Sequence, residues 1–224
     1  MPANFHPVSA LSFLWVIVMN YLEAFPALRQ MVDGRDCILV GSAPGAKTPA
    51  AKDNQILCYV NGAMLGATPS RDIDVWFLNS CTLLSKSLAA SKTQPLISKA
   101  SPKTSLLVAI GACGDGETAR KAFAAINCIH MEYMGRQGRC QFIESVTGLS
   151  VGDAGQSVPS TGIFAAITLM ANGAKSVECH GFTFNDKGGH SYLDGQKTPR
   201  GHLDVDVYFK NHHLNRLNVE FKEV

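Results

Sequence analysis

The sequence has almost no excess of charge: 20 Lys and Arg stand against 18 Asp and Glu, a net of +2. A broad nucleic-acid surface needs clustered cations that displace counterions from phosphate, so that partner class is excluded. A pocket for one small anion is not. No CxxC pair occurs among the seven cysteines (Cys37, Cys58, Cys81, Cys113, Cys128, Cys140 and Cys179), and none has the Cys/His spacing of a zinc site. Several lie within apolar runs such as DCILV, ILCYV and VECHG, which reads as buried, reduced thiols of a cytosolic protein. The chain contains no GxGxxG, no GxxxxGK[ST] and no GxSxG. The dinucleotide fingerprint, the Walker loop and the serine elbow are therefore missing, and no Cys/His nucleophile pair can be assigned.

Long apolar runs are also scarce. Residues 10–22 (ALSFLWVIVMNYL) are almost wholly apolar but too short to span a bilayer comfortably. No Lys or Arg precedes the run and no small-residue cleavage site follows it, so a secretory signal is not expected. Two readings stay open: a helix packed on the core, or a loose contact with the inner face of a membrane or with a second copy of the chain. The expected location is the cytoplasm, with that peripheral contact as the alternative.

What is present is a globular pattern. The 224 residues are 46% apolar, enough for one sizeable core. Short apolar runs at 36–40, 56–60, 73–78, 105–110 and 176–180 each stop at Gly, Asn or Ser. Strands buried on both faces of a parallel sheet look like this. Glu117 to Ile126 reads as a helix with an acidic start, and Gly162 to Met170 as a buried helix capped by Ser160 or Thr161. Leu203 to Leu217 reads as a helix, and 218–224 as a last strand or tail. Between them, 185–200 is polar and glycine-rich, as expected of a lid beside a pocket. The expected class is α/β, a doubly wound, mostly parallel, Rossmann-like sheet. The expected organisation is an apolar helical segment over 1–35 and one nucleotide-binding domain over 36–224. No repeat, low-complexity tract or linker interrupts it.

Ligands of open α/β sheets sit outside the carboxyl ends of the strands. The candidates are the residues found there. Ser42, Ala43 and Pro44, within the small-residue loop 41–45, can bring backbone N–H groups close to a phosphate, or simply make a turn. Asn61 and Asn79 each follow an apolar strand, and an amide offers both a donor and an acceptor to a ribose, base or phosphate. The alternative is that each closes a turn through its own backbone. Ser160, Thr161 and Gly162 open the buried helix, where one hydroxyl can cap while the other meets an anion. Gly181 and Phe182 follow the strand at 176–180. Among the seven histidines, His190 and His202 flank or lie in the polar loop, and a neutral imidazole there could accept a proton from an attacking hydroxyl.

These pieces resemble the bacterial sialyltransferases that use CMP-sialic acid. The stretch Pro159-Ser160-Thr161-Gly162 through Gly181-Phe182-Thr183-Phe184 resembles that family's hydroxyl-Gly helix, following turn and strand, and "G-[FI]-D-F" end. Residues 37–45 resemble its first strand and "GNGPS" loop, Tyr59-Val60-Asn61 and Leu78-Asn79-Ser80 its Asn-bearing strand ends, and Gly201-His202 with Asp204 or Asp206 its catalytic histidine segment. Ser42, Ala43, Gly45 and Thr183 depart from the pattern. The resemblance implies a metal-independent glycosyltransferase without cofactor, taking a CMP-sugar donor and a glycan acceptor. His202 would be the general base. Ser42, Ala43, Pro44, Asn61, Asn79, Ser160, Thr161, Gly162, Gly181 and Phe182 would hold the nucleotide, and Tyr192 would assist departure of the CMP phosphate. Two alternatives share the fold: a catalytically inactive nucleotide-binding protein, and a Mg²⁺-dependent enzyme similar to the archaeal-type pterin diphosphokinases, for which Asp72, Asp74 and Asp115 would be the acidic ligands.

Overall fold

The structure, a computed structural model, describes residues 24–69, 71–85, 88–100, 103–111, 116–149, 158–185 and 202–222. The apolar run 10–22, Tyr192, His190, Asp115 and nearly all of the polar stretch 185–200 lie outside them.

Seven strands form one sheet: β1 (Asp36–Val40), β2 (Ile56–Val60), β3 (Ile73–Asn79), β4 (Thr104–Ile110), β5 (Cys128–Met134), β6 (Ser176–His180) and β7 (Val219–Phe221). Every pairing is parallel, so the sheet is wholly rather than mostly parallel. The spatial order is β5-β4-β3-β2-β1-β6-β7. The chain winds outward from β1 to β5, then crosses to the other side of β1 for β6 and β7. The reversal falls between β1 and β6, and this is the switch point at which a doubly wound sheet opens a crevice above its carboxyl edge.

Helices cover both faces. On one lie α1 (Pro26–Val32), α6 (Arg136–Thr147), α7 (Thr161–Ala171) and α8 (Leu203–His212); on the other lie α2 (Ala63–Gly66), α3 (Ser80–Leu84), α4 (Leu88–Ala100) and α5 (Gly116–Ala124). The strands alternate between two dry cores. Cys37 and Leu39 of β1 face α7, while Ile38 and Val40 face the opposite layer. That double burial is why β2 is apolar at all five positions. Helix α7 is buried at every residue from Thr161 to Leu169, which its apolar circumference requires. Ser160 caps it by accepting from Ile163 N at 3.4 Å.

The last helix is shorter than its sequence pattern implies. It stops at His212, a 3₁₀ turn follows over Leu214–Arg216, and β7 then pairs with β6. The core also takes in α1, before the boundary read at residue 36: Phe25, Leu28 and Val32 are fully buried in it. Helix α1 has no side-chain cap of its own. Instead Glu132, buried in β5, accepts from Ala27 N at 2.7 Å and Leu28 N at 3.2 Å. A carboxylate at a helix N-terminus satisfies two orphan donors and meets the positive end of the helix dipole. Glu132→Ala is expected to lower the unfolding free energy by about 1–3 kcal/mol in urea titrations, because the buried Leu28 N–H and the partly buried Ala27 N–H lose their acceptor. An unchanged midpoint would show that α1 contributes little to the fold.

Cys37, Cys58 and Cys179 are buried free thiols, and Cys128 and Cys140 are free and partly buried. Burial pushes the Cys58 and Cys179 thiols well up, so both stay protonated and inert as nucleophiles. Cys81 differs: it is disulfide-bonded, which corrects the reading of uniformly reduced cysteines. It lies in the first turn of α3, after the carboxyl end of β3, instead of sitting in an apolar strand. Among the described residues, no helix is long and apolar enough to cross a membrane.

Candidate functional site

Asn61 leaves β2 with φ at +48°, the only positive φ outside glycine among the described residues. Asparagine tolerates this left-handed backbone better than most residues. The turn is pinned by two bonds: Asn61 N donates to Phe77 O at 2.8 Å, and Asn61 O accepts from Trp76 Nε1 at 2.8 Å. Its side chain is thereby aimed at the end of β3, where Oδ1 accepts from Asn79 N at 3.0 Å. Asn79 caps α3, its Oδ1 accepting from Cys81 N at 2.8 Å. Its Nδ2 donates to Thr161 Oγ1 at 3.1 Å.

The two asparagines and the α7 hydroxyl therefore form one hydrogen-bonded chain across β2, β3 and α7. The hydroxyls divide as the sequence allows, with Ser160 capping and Thr161 turned towards Asn79. Asn61 Nδ2, the Thr161 hydroxyl hydrogen and the backbone N–H groups of Thr161 and Gly162 find no acceptor among the described residues. The surplus is of donors. Such a site suits a ligand rich in acceptors, such as phosphate oxygens, ribose or a pyrimidine carbonyl.

The loop after β1 is narrower in what it offers. Gly41 N donates to His180 O at 2.7 Å and Ala43 N to Gly181 O at 2.9 Å, so these amides stitch β1 to the end of β6. The Ala43 side chain is fully buried. The Ala43 N–H is accordingly committed to Gly181 and not turned to a ligand; Ser42 is half-buried and Pro44 exposed. Phe182 lies across Gly41 and Gly162, where a Cβ on either glycine would collide with its ring. Its far side packs edge-on against Phe221 with centroids 5.7 Å apart. Glycines here are a packing requirement at the switch point.

His202 stands just before α8 and is exposed, and its side chain makes no hydrogen bond among the described residues. Its position is nonetheless constrained. Asp206 N donates to His202 O at 2.8 Å, and the Asp206 carboxylate accepts from Ser160 N at 2.7 Å. Residues four apart share a helix face, so the contact made by Asp206 carries the first turn of α8, with His202, to the first turn of α7. His180 belongs elsewhere: it pairs with Glu178 at 2.6 Å, alternating with Val177 and Cys179, which face the α7 core.

The acidic residues suggested for Mg²⁺ are far from this edge. Asp74 accepts from Leu57 N at 2.7 Å and Arg71 Nη2 at 2.8 Å, and Asp72 pairs with Lys103 at 3.4 Å. Asp74 sits near the amino end of β3, about 17 Å of strand away from Asn79 at ~3.3 Å per residue, and Asp72 lies just before the strand, further still. No group of three or more His, Cys, Asp or Glu is placed to hold a metal among the described residues.

Sequence reasoning missed Arg139. It occupies the buried stripe of α6 beside Phe142 and Ile143, and its guanidinium donates to Pro159 O. The available signal was an arginine three and four residues before apolar anchors on an amphipathic helix.

No protein-family model matches the chain, and no curated protein does. Solved structures do. The sialyltransferase CstII from Campylobacter jejuni in complex with cytidine-5'-monophosphate has 10% identity and a TM-score of 0.47, covering 84% of this chain and 80% of that one. The monofunctional α-2,3-sialyltransferase Cst-I from the same organism has 10% identity and a TM-score of 0.49, with 84% and 75% covered. CstII in complex with a trisaccharide acceptor and CMP has 11% identity and a TM-score of 0.43, with 84% and 80% covered. This is what the chain is similar to in its path.

Proposed function

We propose that the carboxyl edge at the β1/β6 switch point binds a nucleotide, and that the chain is a glycosyltransferase taking its sugar from a CMP-activated donor. The observation that carries this is the bonded chain Asn61–Asn79–Thr161 lying beside the Asp206–Ser160 contact. It puts a donor-rich cradle and the turn bearing His202 at the same helix N-terminus. In this reading Asn61, Thr161 and Gly162 hold the nucleotide, with Asn79 fixing their geometry. Ser42, Pro44 and Phe182 border it, while Ala43, Ser160 and Gly181 shape the walls.

The chemistry follows from the roles. The acceptor hydroxyl gives its proton to the His202 imidazole as its oxygen attacks the anomeric carbon. The bond to the CMP phosphate oxygen breaks on the opposite face, so configuration inverts and CMP leaves as an anion. Tyr192 assists that departure. The charge on the phosphate is met by N–H and O–H donors instead of a metal, and the partners are the CMP-sugar and a glycan acceptor.

A thermal-shift panel of CMP, CDP, GDP and ATP, each with and without Mg²⁺, tests the reading. CMP at a hundredfold excess over its dissociation constant should stabilise the fold by about 2.7 kcal/mol, with or without Mg²⁺. A shift by CMP without release of CMP from any CMP-sugar would identify an inactive nucleotide-binding protein. A shift that needs Mg²⁺ and a purine nucleotide would favour the diphosphokinase-like alternative.

A further inference from the structure

We propose that Arg139 is a positioning residue for this site: its guanidinium, with Asp206, clamps the Pro159–Ser160 turn and so fixes where the first turn of α8 carries His202. The inference rests on the reading of His202 given above.

Arg139 is 5% exposed in the core beneath α7. Its Nη2 donates to Pro159 O, and its guanidinium carbon lies 5.0 Å from the centroid of the Phe164 ring. Nε is buried without a partner. Burial draws the group's pKa down to about 10, opposed by nearby groups that include the Asp206 carboxylate, so the charge persists at neutral pH. A buried, incompletely paired guanidinium is a costly way to fill space, and a methionine of similar volume would fill it at lower cost. Arginine adds two things here. It holds the backbone carbonyl of the residue before the α7 cap, and it attracts a carboxylate.

Those two actions converge. Asp206 accepts from Ser160 N at 2.7 Å, so the turn is held at its carbonyl by α6 and at its amide by α8. The two holders carry opposite charges. Asp206 N in turn donates to His202 O at 2.8 Å, which closes the path from Arg139 to the histidine. Three helices are locked at the point where α7 offers its free N–H groups. Neither Arg139 nor Asp206 need touch a ligand for this to matter, since a small displacement of a reacting group costs a large factor in rate.

The test uses Arg139→Met, Arg139→Lys, Asp206→Asn and the Arg139→Met/Asp206→Asn double variant of the full chain. Three quantities are measured: CMP release from CMP-sialic acid, the dissociation constant of CMP, and the His202 ring ¹H–¹³C signal, assigned by its loss in His202→Ala. Positioning predicts that Arg139→Met lowers kcat about tenfold or more while CMP affinity moves less. Arg139→Lys should recover part of the loss, and the double variant should be no worse than the worse single one. The His202 signal should move in both Arg139→Met and Asp206→Asn. A wild-type His202 signal in folded Arg139→Met and Asp206→Asn overturns the proposal, as does an additive double variant. Should Arg139→Met fail to fold, Arg139→Lys and Asp206→Asn carry the same comparison. Should the wild type neither bind CMP nor release it, the nucleotide reading fails by itself. The His202 signal still decides whether Arg139 positions that turn.

Discussion

Replacing His202 with alanine is expected to lower sugar transfer by about 10²–10⁴-fold while leaving CMP affinity near that of the wild type. The separation follows from where the groups sit. The donors assigned to the nucleotide belong to Asn61, Thr161 and Gly162, at the ends of β2 and the start of α7. Among the described residues, His202 is brought to the same region through the Asp206–Ser160 contact. Its side chain makes no hydrogen bond to the described parts of that cradle, so truncation leaves the cradle intact. Initial-rate measurements of CMP release, set beside CMP binding, check it. Transfer that survives in His202→Ala would remove the base assignment without touching the binding site.

The largest expected effect on stability comes from Gly181→Ala, at about 2–5 kcal/mol. Gly181 has φ at +70°, a conformation that costs an L-residue ~1–2 kcal/mol. An added Cβ would also lie 2.6 Å from Ala46 Cβ and 2.6 Å from Gly41 O. The backbone cannot move away freely, since Gly41 N and Ala43 N bond to His180 O and Gly181 O across this gap. Overpacking of this kind typically adds ~1–3 kcal/mol. Gly148 is the control. Its φ is +72°, but nothing lies within 4 Å of its would-be Cβ, so Gly148→Ala should show the conformational part alone. Urea unfolding of the two variants tests the difference. Equal losses would mean that the contact between β1 and β6 is softer than its geometry implies.

How far the fold could be read in advance depended on how dry each element is. Strands β1 to β4 are buried on both faces or nearly so, and their apolar runs are visible in any window of five residues, while β6 is buried on one face, at Val177 and Cys179. Strand β5 was not seen. It is an edge strand whose Ile129 is 74% exposed, while Glu132 occupies a buried position, so the hydrophobic alternation is inverted at two places. Helix α6 escaped for a related reason, because Arg139 and Ser145 sit in its buried stripe. Both anomalies are long-range contacts, Glu132 with the start of α1 and Arg139 with Pro159, and no local pattern encodes them.

The candidate site shows the same division. Asn61 and Asn79 were visible as polar residues closing apolar strands, and Ser160-Thr161 as a cap. That Asn61 bonds Asn79, and Asn79 bonds Thr161, follows only from β2 and β3 being neighbours under α7. The Ala43 amide looked like a phosphate donor from composition, yet the strand order brings Gly181 beside it and takes its hydrogen.

The central claim is that Asn61, Asn79 and Thr161 together receive a nucleotide. Titration calorimetry of CMP into the wild type and into Thr161→Val tests it most directly. Thr161→Val keeps the size and apolar packing of the side chain but removes the hydroxyl that joins Asn79 to the ligand. The account predicts a saturable one-to-one isotherm for the wild type and affinity weakened about tenfold in the variant, the cost of roughly one lost hydrogen bond. No binding by the wild type, or equal affinity in both proteins, would contradict it.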